Sequence, residues 1–197
     1  MHPFIYLASQ SPRRSQLLTQ LGIAHELLLA DAQEDAESLE EHIPGESPFD
    51  YVQRVTRLKL EAALKRLQVR GLPPAPVLCA DTTVALGNTI YAKPADAEDA
   101  ARMLRALSGQ THVVMTAVAI GKAGQCEQAC SLSEVTFAAM SDAEIRDYVD
   151  SGEPMGKAGA YAVQGGAGAF ISRINGSYTG IMGLPLYETA QLLKKLA

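Results

Sequence analysis

Four stretches of the sequence carry side chains whose types and spacing could do chemistry. The first is Ser9-Gln10-Ser11-Pro12-Arg13-Arg14, directly after the apolar run Phe4 to Ala8. Serine followed by proline signals a helix start, where exposed N–H groups and the helix dipole favour an anion. Two adjacent arginines there are unfavourable unless a phosphate or carboxylate answers them, although a capped helix with solvated arginines uses the same residues. The second is Val77-Leu78-Cys79-Ala80, a buried-strand run that meets Asp81-Thr82-Thr83. A carboxylate at a strand end stands where α/β proteins place ligands. Asp81 could hold Mg²⁺ or orient a water as general base, or it could cap a turn. The third is the set of isolated lysines Lys59, Lys93 and Lys157, a residue type that is mostly solvated. The fourth is Lys157-Ala158-Gly159-Ala160-Tyr161-Ala162-Val163-Gln164-Gly165-Gly166. Its small residues admit a ligand or a neighbouring strand, and the Gln164 amide offers the paired donor and acceptor that read a base edge.

Other chemistries are disfavoured. No GxxxxGK[ST] loop is present, and Gly165-Gly166-Ala167-Gly168 is only a fragment of a dinucleotide-binding pattern. Three cysteines without CxxC spacing argue against a zinc site or a disulfide framework and suit a reducing cytosol. A net charge of −5 and 6% aromatic residues are poor for nucleic-acid binding. No apolar run approaches the roughly 18 residues of a membrane span, and the N-terminal stretch reads as a strand, not a signal peptide.

The elements that must position these residues follow from periodicity. With 197 residues, 47% hydrophobic and 20% charged, the chain 1–197 suits one large globular domain or two small lobes sharing a core. A strand over Phe4–Ala8 leads to a helix from Pro12 that Gly22 ends, then to a strand over His25–Leu29. An acidic loop spans residues 31–47, and a helix runs from Pro48 to Val69. The strand from Val77 is expected to end at Asp81, with Gly87-Asn88 as a hairpin turn into Thr89–Tyr91. A helix over Asp96–Leu107 precedes strands over His112–Gly121 and Cys126–Ala138. Ser141-Asp142-Ala143-Glu144 is a capping box opening a helix to about Asp150. Strands are expected around Ala169–Ile174 and Tyr178–Met182, with a last helix over Leu186–Leu196. The pattern predicts an α/β fold with a mixed sheet flanked by helices.

In order along nearly the whole chain, these segments resemble the Maf family of nucleotide pyrophosphatases. The resemblance rests on Leu7-Ala8-Ser9-Gln10-Ser11-Pro12-Arg13-Arg14, Ala80-Asp81-Thr82, Lys93-Pro94, Leu107-Ser108-Gly109-Gln110-Thr111-His112, the run from Lys157 to Gly165, Ile174-Asn175-Gly176-Ser177-Tyr178 and Gly183-Leu184-Pro185-Leu186. It implies an elongated two-lobed fold with a central cleft, similar to inosine triphosphate pyrophosphatases. It also implies cleavage of a nucleoside triphosphate between its α and β phosphates with Mg²⁺ or Mn²⁺. By resemblance Asp81 is the general base and shares the metal with Glu34, while Ser9, Arg14, Glu34, Lys59 and Lys93 line the substrate site. Arg13, Thr82 and Gln164 stand at the specificity positions and resemble the branch acting on dTTP and UTP. A neutral glutamine can pair with the imide edge of uracil or thymine. Gly156 departs from the family pattern, which often has aspartate there, and Glu153 is the neighbouring carboxylate. A non-catalytic nucleotide-binding role in arrest of septum formation is the alternative that the resemblance carries. A homodimer and a cytoplasmic location complete the expectations.

Overall fold

A computed structural model describes residues 4–31, 34, 38–122 and 124–195. Seven strands and six α-helices are present among them: β1 (Ile5–Leu7), α1 (Pro12–Gln20), β2 (His25–Leu27), α2 (Pro48–Val69), β3 (Val77–Leu86), β4 (Thr89–Tyr91), α3 (Ala97–Leu107), β5 (Thr111–Lys122), β6 (Gln125–Phe137), α4 (Asp142–Asp150), β7 (Ile171–Asn175), α5 (Tyr178–Met182) and α6 (Leu186–Lys195). The sheet order is β2-β1-β3-β5-β6-β7, with β4 on β3. β1 pairs in parallel with both β2 and β3, whereas β4 and β7 pair antiparallel to β3 and β6. The sheet is therefore mixed, as the alternation of strands, helices and turns predicts. No described helix is long and apolar enough to cross a membrane.

The chain divides into two compact units. Unit 1 takes residues 1–81, 116–131 and 183–197; unit 2 takes residues 82–115 and 132–182. In unit 1, Tyr6, Val77 and Cys79 of the strands pack with Leu60, Ala63 and Leu67 of α2. In unit 2, Val84, Tyr91, Val114 and Phe137 pack with Met103, Leu104 and Leu107 of α3, Ile145 and Tyr148 of α4, and Tyr161 and Val163. All three cysteines are free, and burial pushes the Cys79 thiol up to about 12, so it stays protonated and inert.

Two expectations are corrected. The strand does not end at Asp81: β3 runs on to Leu86, with Asp81 and Thr82 half-buried in its middle. Thr83, Val84 and Ala85 continue the buried run, and the ladder to β4 holds Val84 against Tyr91. Tyr178–Met182 is a short helix, not a strand. The Ser177 hydroxyl accepts from the Gly180 amide at 3.0 Å, and the Ser177 carbonyl accepts from Ile181 at 3.0 Å, so the serine caps a turn. The acidic loop expected over 31–47 holds one 3₁₀ turn, Ser38–Glu40, while residues 32, 33 and 35–37 lie outside the described residues.

Candidate active site

β1 and β3 bring two of the candidate stretches together. Leu7 lies beside Leu78, and the Ala8 amide donates to the Leu78 carbonyl at 2.9 Å, so the chain leaves β1 alongside the segment leading to Asp81. Ser9 and α1 follow at once. Ser11 occupies the N-cap position, yet its side chain accepts no capping hydrogen bond from α1. The cap-side hydroxyl in use is that of Ser9, which accepts from the Ser11 amide at 3.2 Å.

Arg14 is anchored at two points. Its Nη1 donates to Ser9 Oγ at 3.1 Å, and its Nε donates to the Gly183 carbonyl at 2.8 Å. That second bond gives Gly183-Leu184-Pro185-Leu186 a role that composition does not show. Burial lowers the Arg14 pKa, while the charges of Asp81 and Glu40 work to raise it. All three groups thus lie within electrostatic reach of each other.

The residue opposite is Lys59 of α2. Val55, Lys59 and Ala63 follow each other at i, i+4, i+8, so Lys59 belongs to the stripe that α2 buries. Its ammonium donates to Asp81 Oδ1 at 2.5 Å and to Glu40 Oε1 at 2.6 Å. Burial disfavours the charged form of Lys59, but the two carboxylates outweigh it and hold its pKa above the ordinary value. Glu40 is itself fixed from α2, where the Tyr51 hydroxyl donates to its carbonyl at 3.0 Å and Arg54 donates to the Glu41 carbonyl at 2.8 Å. Burial and the charges of Asp81 and Glu40 together raise the Tyr51 phenol to about 12.

Glu34 is placed elsewhere. Two turns beyond Lys59 on α2, Arg66 holds it through Nε at 2.7 Å and Nη2 at 2.6 Å, and donates through Nη1 to the Leu28 carbonyl at 2.9 Å. This fork–fork pairing holds Glu34 below the ordinary carboxylate range. Asp81 therefore shares Lys59 with Glu40, and Glu34 shares Arg66 with a backbone carbonyl. Neither Glu40 nor Arg66 was read from the sequence as a site residue. A signal existed: Lys59 and Arg66 stand seven residues apart on the buried face of α2, and buried cations demand carboxylates, which the acidic loop before α2 supplies.

Arg13 lies on α1 in unit 1, and the remaining candidates belong to unit 2. Thr82 follows Asp81 on β3, and successive strand residues point to opposite faces. Lys93 is exposed just beyond β4, and the preceding Ala92 carbonyl accepts from the Gly159 amide at 3.2 Å. Gly159 needs to be glycine, with φ +70° and a hypothetical Cβ only 2.9 Å from Val84 Cγ1. Lys157 donates to the Glu153 carbonyl, so it ties its own loop. Gln164 is exposed between buried Val163 and Gly165. His112 is buried, donates to or accepts from the Tyr161 hydroxyl at 2.8 Å, and packs edge-on against Phe137. Burial lowers it to about 4.

A mixed α/β sheet that sets an anchored arginine at a helix start near a lysine held between carboxylates suits a phosphate-handling protein. This chain belongs to the Maf family, whose description, Maf-like protein, matches residues 4–196. A relative from Albidiferax ferrireducens named dTTP/UTP pyrophosphatase is 66% identical over 98% of this chain and 97% of its own. A second, from Cupriavidus pinatubonensis and bearing the same name, is 62% identical over 99% and 98%. Among solved structures, a nucleoside-triphosphatase / dITP/XTP pyrophosphatase from Mycobacterium abscessus is 16% identical, with TM-score 0.41 over 70% of this chain and 75% of that one.

Proposed function

We propose that this chain is a metal-dependent nucleoside triphosphate pyrophosphatase of the cytoplasm that converts dTTP and UTP to monophosphate and pyrophosphate, clearing modified nucleotides from the pool. The observation that carries the reaction is the unit 1 cluster, in which Asp81 and Glu40 share Lys59 within electrostatic reach of anchored Arg14. The substrates come from the names of the relatives at 66% and 62% identity.

Arg14, Lys59, Lys93 and the amides opening α1 balance the triphosphate charge, and Ser9 holds Arg14 in place. Asp81 takes the proton of a water that attacks the α-phosphorus, and pyrophosphate leaves. Lys59 fixes Asp81 in place for that task through the hydrogen bond from its ammonium to Oδ1. Most of the rate gain comes from positioning and from charge stabilisation. The donors fit a hard cation: Asp81 and Glu40 offer carboxylate oxygens only, and no group of three His, Cys, Asp or Glu residues stands ready among the described residues. Mg²⁺ or Mn²⁺ would be held by Asp81, with Glu40 as second carboxylate and Glu34 available only on leaving Arg66. A cation held there would neutralise phosphate charge. Arg13, Thr82 and Gln164 set the preference for the pyrimidine base.

The test is a panel of dTTP, UTP, CTP, GTP and 7-methyl-GTP with Mg²⁺ or Mn²⁺, with pyrophosphate and orthophosphate assayed separately. Pyrophosphate from dTTP and UTP above the rest is expected. Pyrophosphate mainly from another nucleotide keeps the reaction and overturns the roles of Arg13, Thr82 and Gln164. Orthophosphate alone overturns attack at the α-phosphorus.

A further inference from the structure

Gln164 is exposed, so its placement is set by the backbone on either side of it, and that backbone is held by a clamp. Glu153, just after α4, turns its carboxylate into the loop that carries Gln164. Its Oε2 accepts from the Gly166 amide at 3.0 Å. Its Oε1 accepts from the Tyr148 hydroxyl at 2.6 Å. The same hydroxyl accepts from the Ala162 amide at 3.3 Å, so Tyr148 and Glu153 grip the loop two residues before Gln164 and two after it. Tyr148 is 6% exposed and packs edge-on against Phe170, which fixes its ring. The Tyr161–His112 bond pins the same segment one residue further back.

Gly165 is part of the device. A Cβ there would run into the Glu153 carboxylate, with Oε1 the nearest atom. Its φ of −110° is open to any residue, so glycine is required by the carboxylate and not by the backbone. The half-buried Glu153 carboxylate is answered by hydrogen-bond donors from Tyr148 and Gly166, which favours its ionised form.

We infer that Glu153 and Tyr148 are positioning residues for base selection, holding the Gln164 amide where it meets the imide edge of uracil or thymine. This rests on the base-reading role proposed for Gln164. Two paired hydrogen bonds tolerate only a few tenths of an ångström of displacement, so a loosened frame loses discrimination before it loses chemistry.

The experiment compares Tyr148→Phe, Gly165→Ala, Glu153→Ala and the Glu153→Ala/Gly165→Ala double variant with Gln164→Ala and wild type. For each, kcat and KM are measured with UTP and CTP, and amide exchange over residues 161–169 is followed by mass spectrometry. Tyr148→Phe and Gly165→Ala are expected to speed that exchange, raise KM for UTP and cut the UTP-to-CTP ratio of kcat/KM about tenfold, with kcat within about threefold of wild type. The double variant should match Glu153→Ala alone, because the Cβ added at Gly165 acts by expelling the carboxylate that Glu153→Ala removes. Should Gly165→Ala not fold, Tyr148→Phe, which removes a single oxygen, carries the test. Unchanged exchange in Tyr148→Phe overturns the clamp. Faster exchange with an unchanged base ratio, while Gln164→Ala does alter it, overturns the positioning role and leaves Gln164 as the reader. An unchanged ratio in Gln164→Ala itself shows that the base-reading role has failed, and the inference falls with it.

Discussion

Replacing Asp81 by asparagine separates catalysis from stability. Asparagine keeps the shape and one carbonyl oxygen, so Oδ1 still accepts from Lys59, now without charge. Lys59 does not lose its only counter-ion, because Glu40 stands 2.6 Å from the same ammonium. Leaving a buried charge with no partner costs about 3–5 kcal/mol. With Glu40 retained, and with Lys59 still 22% exposed, the loss should be about 1 kcal/mol. For a chain of 197 residues this lowers Tm by about 2–4 °C. The turnover number should fall at least ~10²-fold, the low end of what a positioned base contributes. The assay is pyrophosphate release from saturating UTP, with a thermal melt on the same preparations. Adding Glu40→Gln to Asp81→Asn strips Lys59 of both carboxylates, and the double variant should lose more stability than the two single ones together. A turnover close to wild type removes Asp81 as the base. A melt lowered by about 10 °C or more in Asp81→Asn alone would refute the sharing of Lys59 by two carboxylates.

Three further outcomes are expected. Gln164→Glu should weaken UTP use more than 7-methyl-GTP use, since a carboxylate cannot donate to an imide carbonyl; an unchanged substrate ratio counts against Gln164 as the base reader. His112 is neutral in the fold, with its pKa lowered by burial from 6.5 to about 4. Protonation is therefore taken up by the unfolded chain first, and the stability His112 contributes is full above pH 6.5 and lost as pH falls toward 4, by about 3 kcal/mol. His112→Gln should flatten that slope in denaturant titrations, and an unaltered slope would assign the acid sensitivity to other groups. Chelation with EDTA should abolish pyrophosphate release, and Mg²⁺ or Mn²⁺ should restore it; full activity in EDTA would exclude the cation from the reaction.

Local signals were strong where chemistry and periodicity agree. The helix expected from about Pro48 to Val69 forms over those residues because an apolar stripe runs its length, and in the fold Ser47 caps it. The capping box at Ser141 and Glu144 was equally plain, and both of its reciprocal hydrogen bonds form. The residues of Ser9–Arg14, Asp81, Lys93 and Gln164 drew notice by type and spacing, and the family resemblance gave each its expected role.

Where the sequence misled, a longer-range partner decided. Asp81 and Thr82 read as a strand end because polar residues break an apolar run, yet pairing of Val84 with Tyr91 carries the strand through them. Tyr178–Met182 has the composition of a strand, but the Ser177 hydroxyl reaches the Gly180 amide and closes a turn. The partners of the charges were decided only by tertiary structure. Glu34 and Glu40 are both acidic residues of one loop, and nothing local says that the first goes to Arg66 and the second to Lys59. That choice follows from α2 burying both cations on one face, where each must meet a carboxylate as the chain closes over it. The same holds for Glu153, whose carboxylate is committed by a glycine twelve residues away that leaves it room. The sequence determined which residues could act, through their chemistry and their spacing on each element. Only the packed fold decided which of them meet, because ion pairs between distant segments are fixed by burial and not by order along the chain.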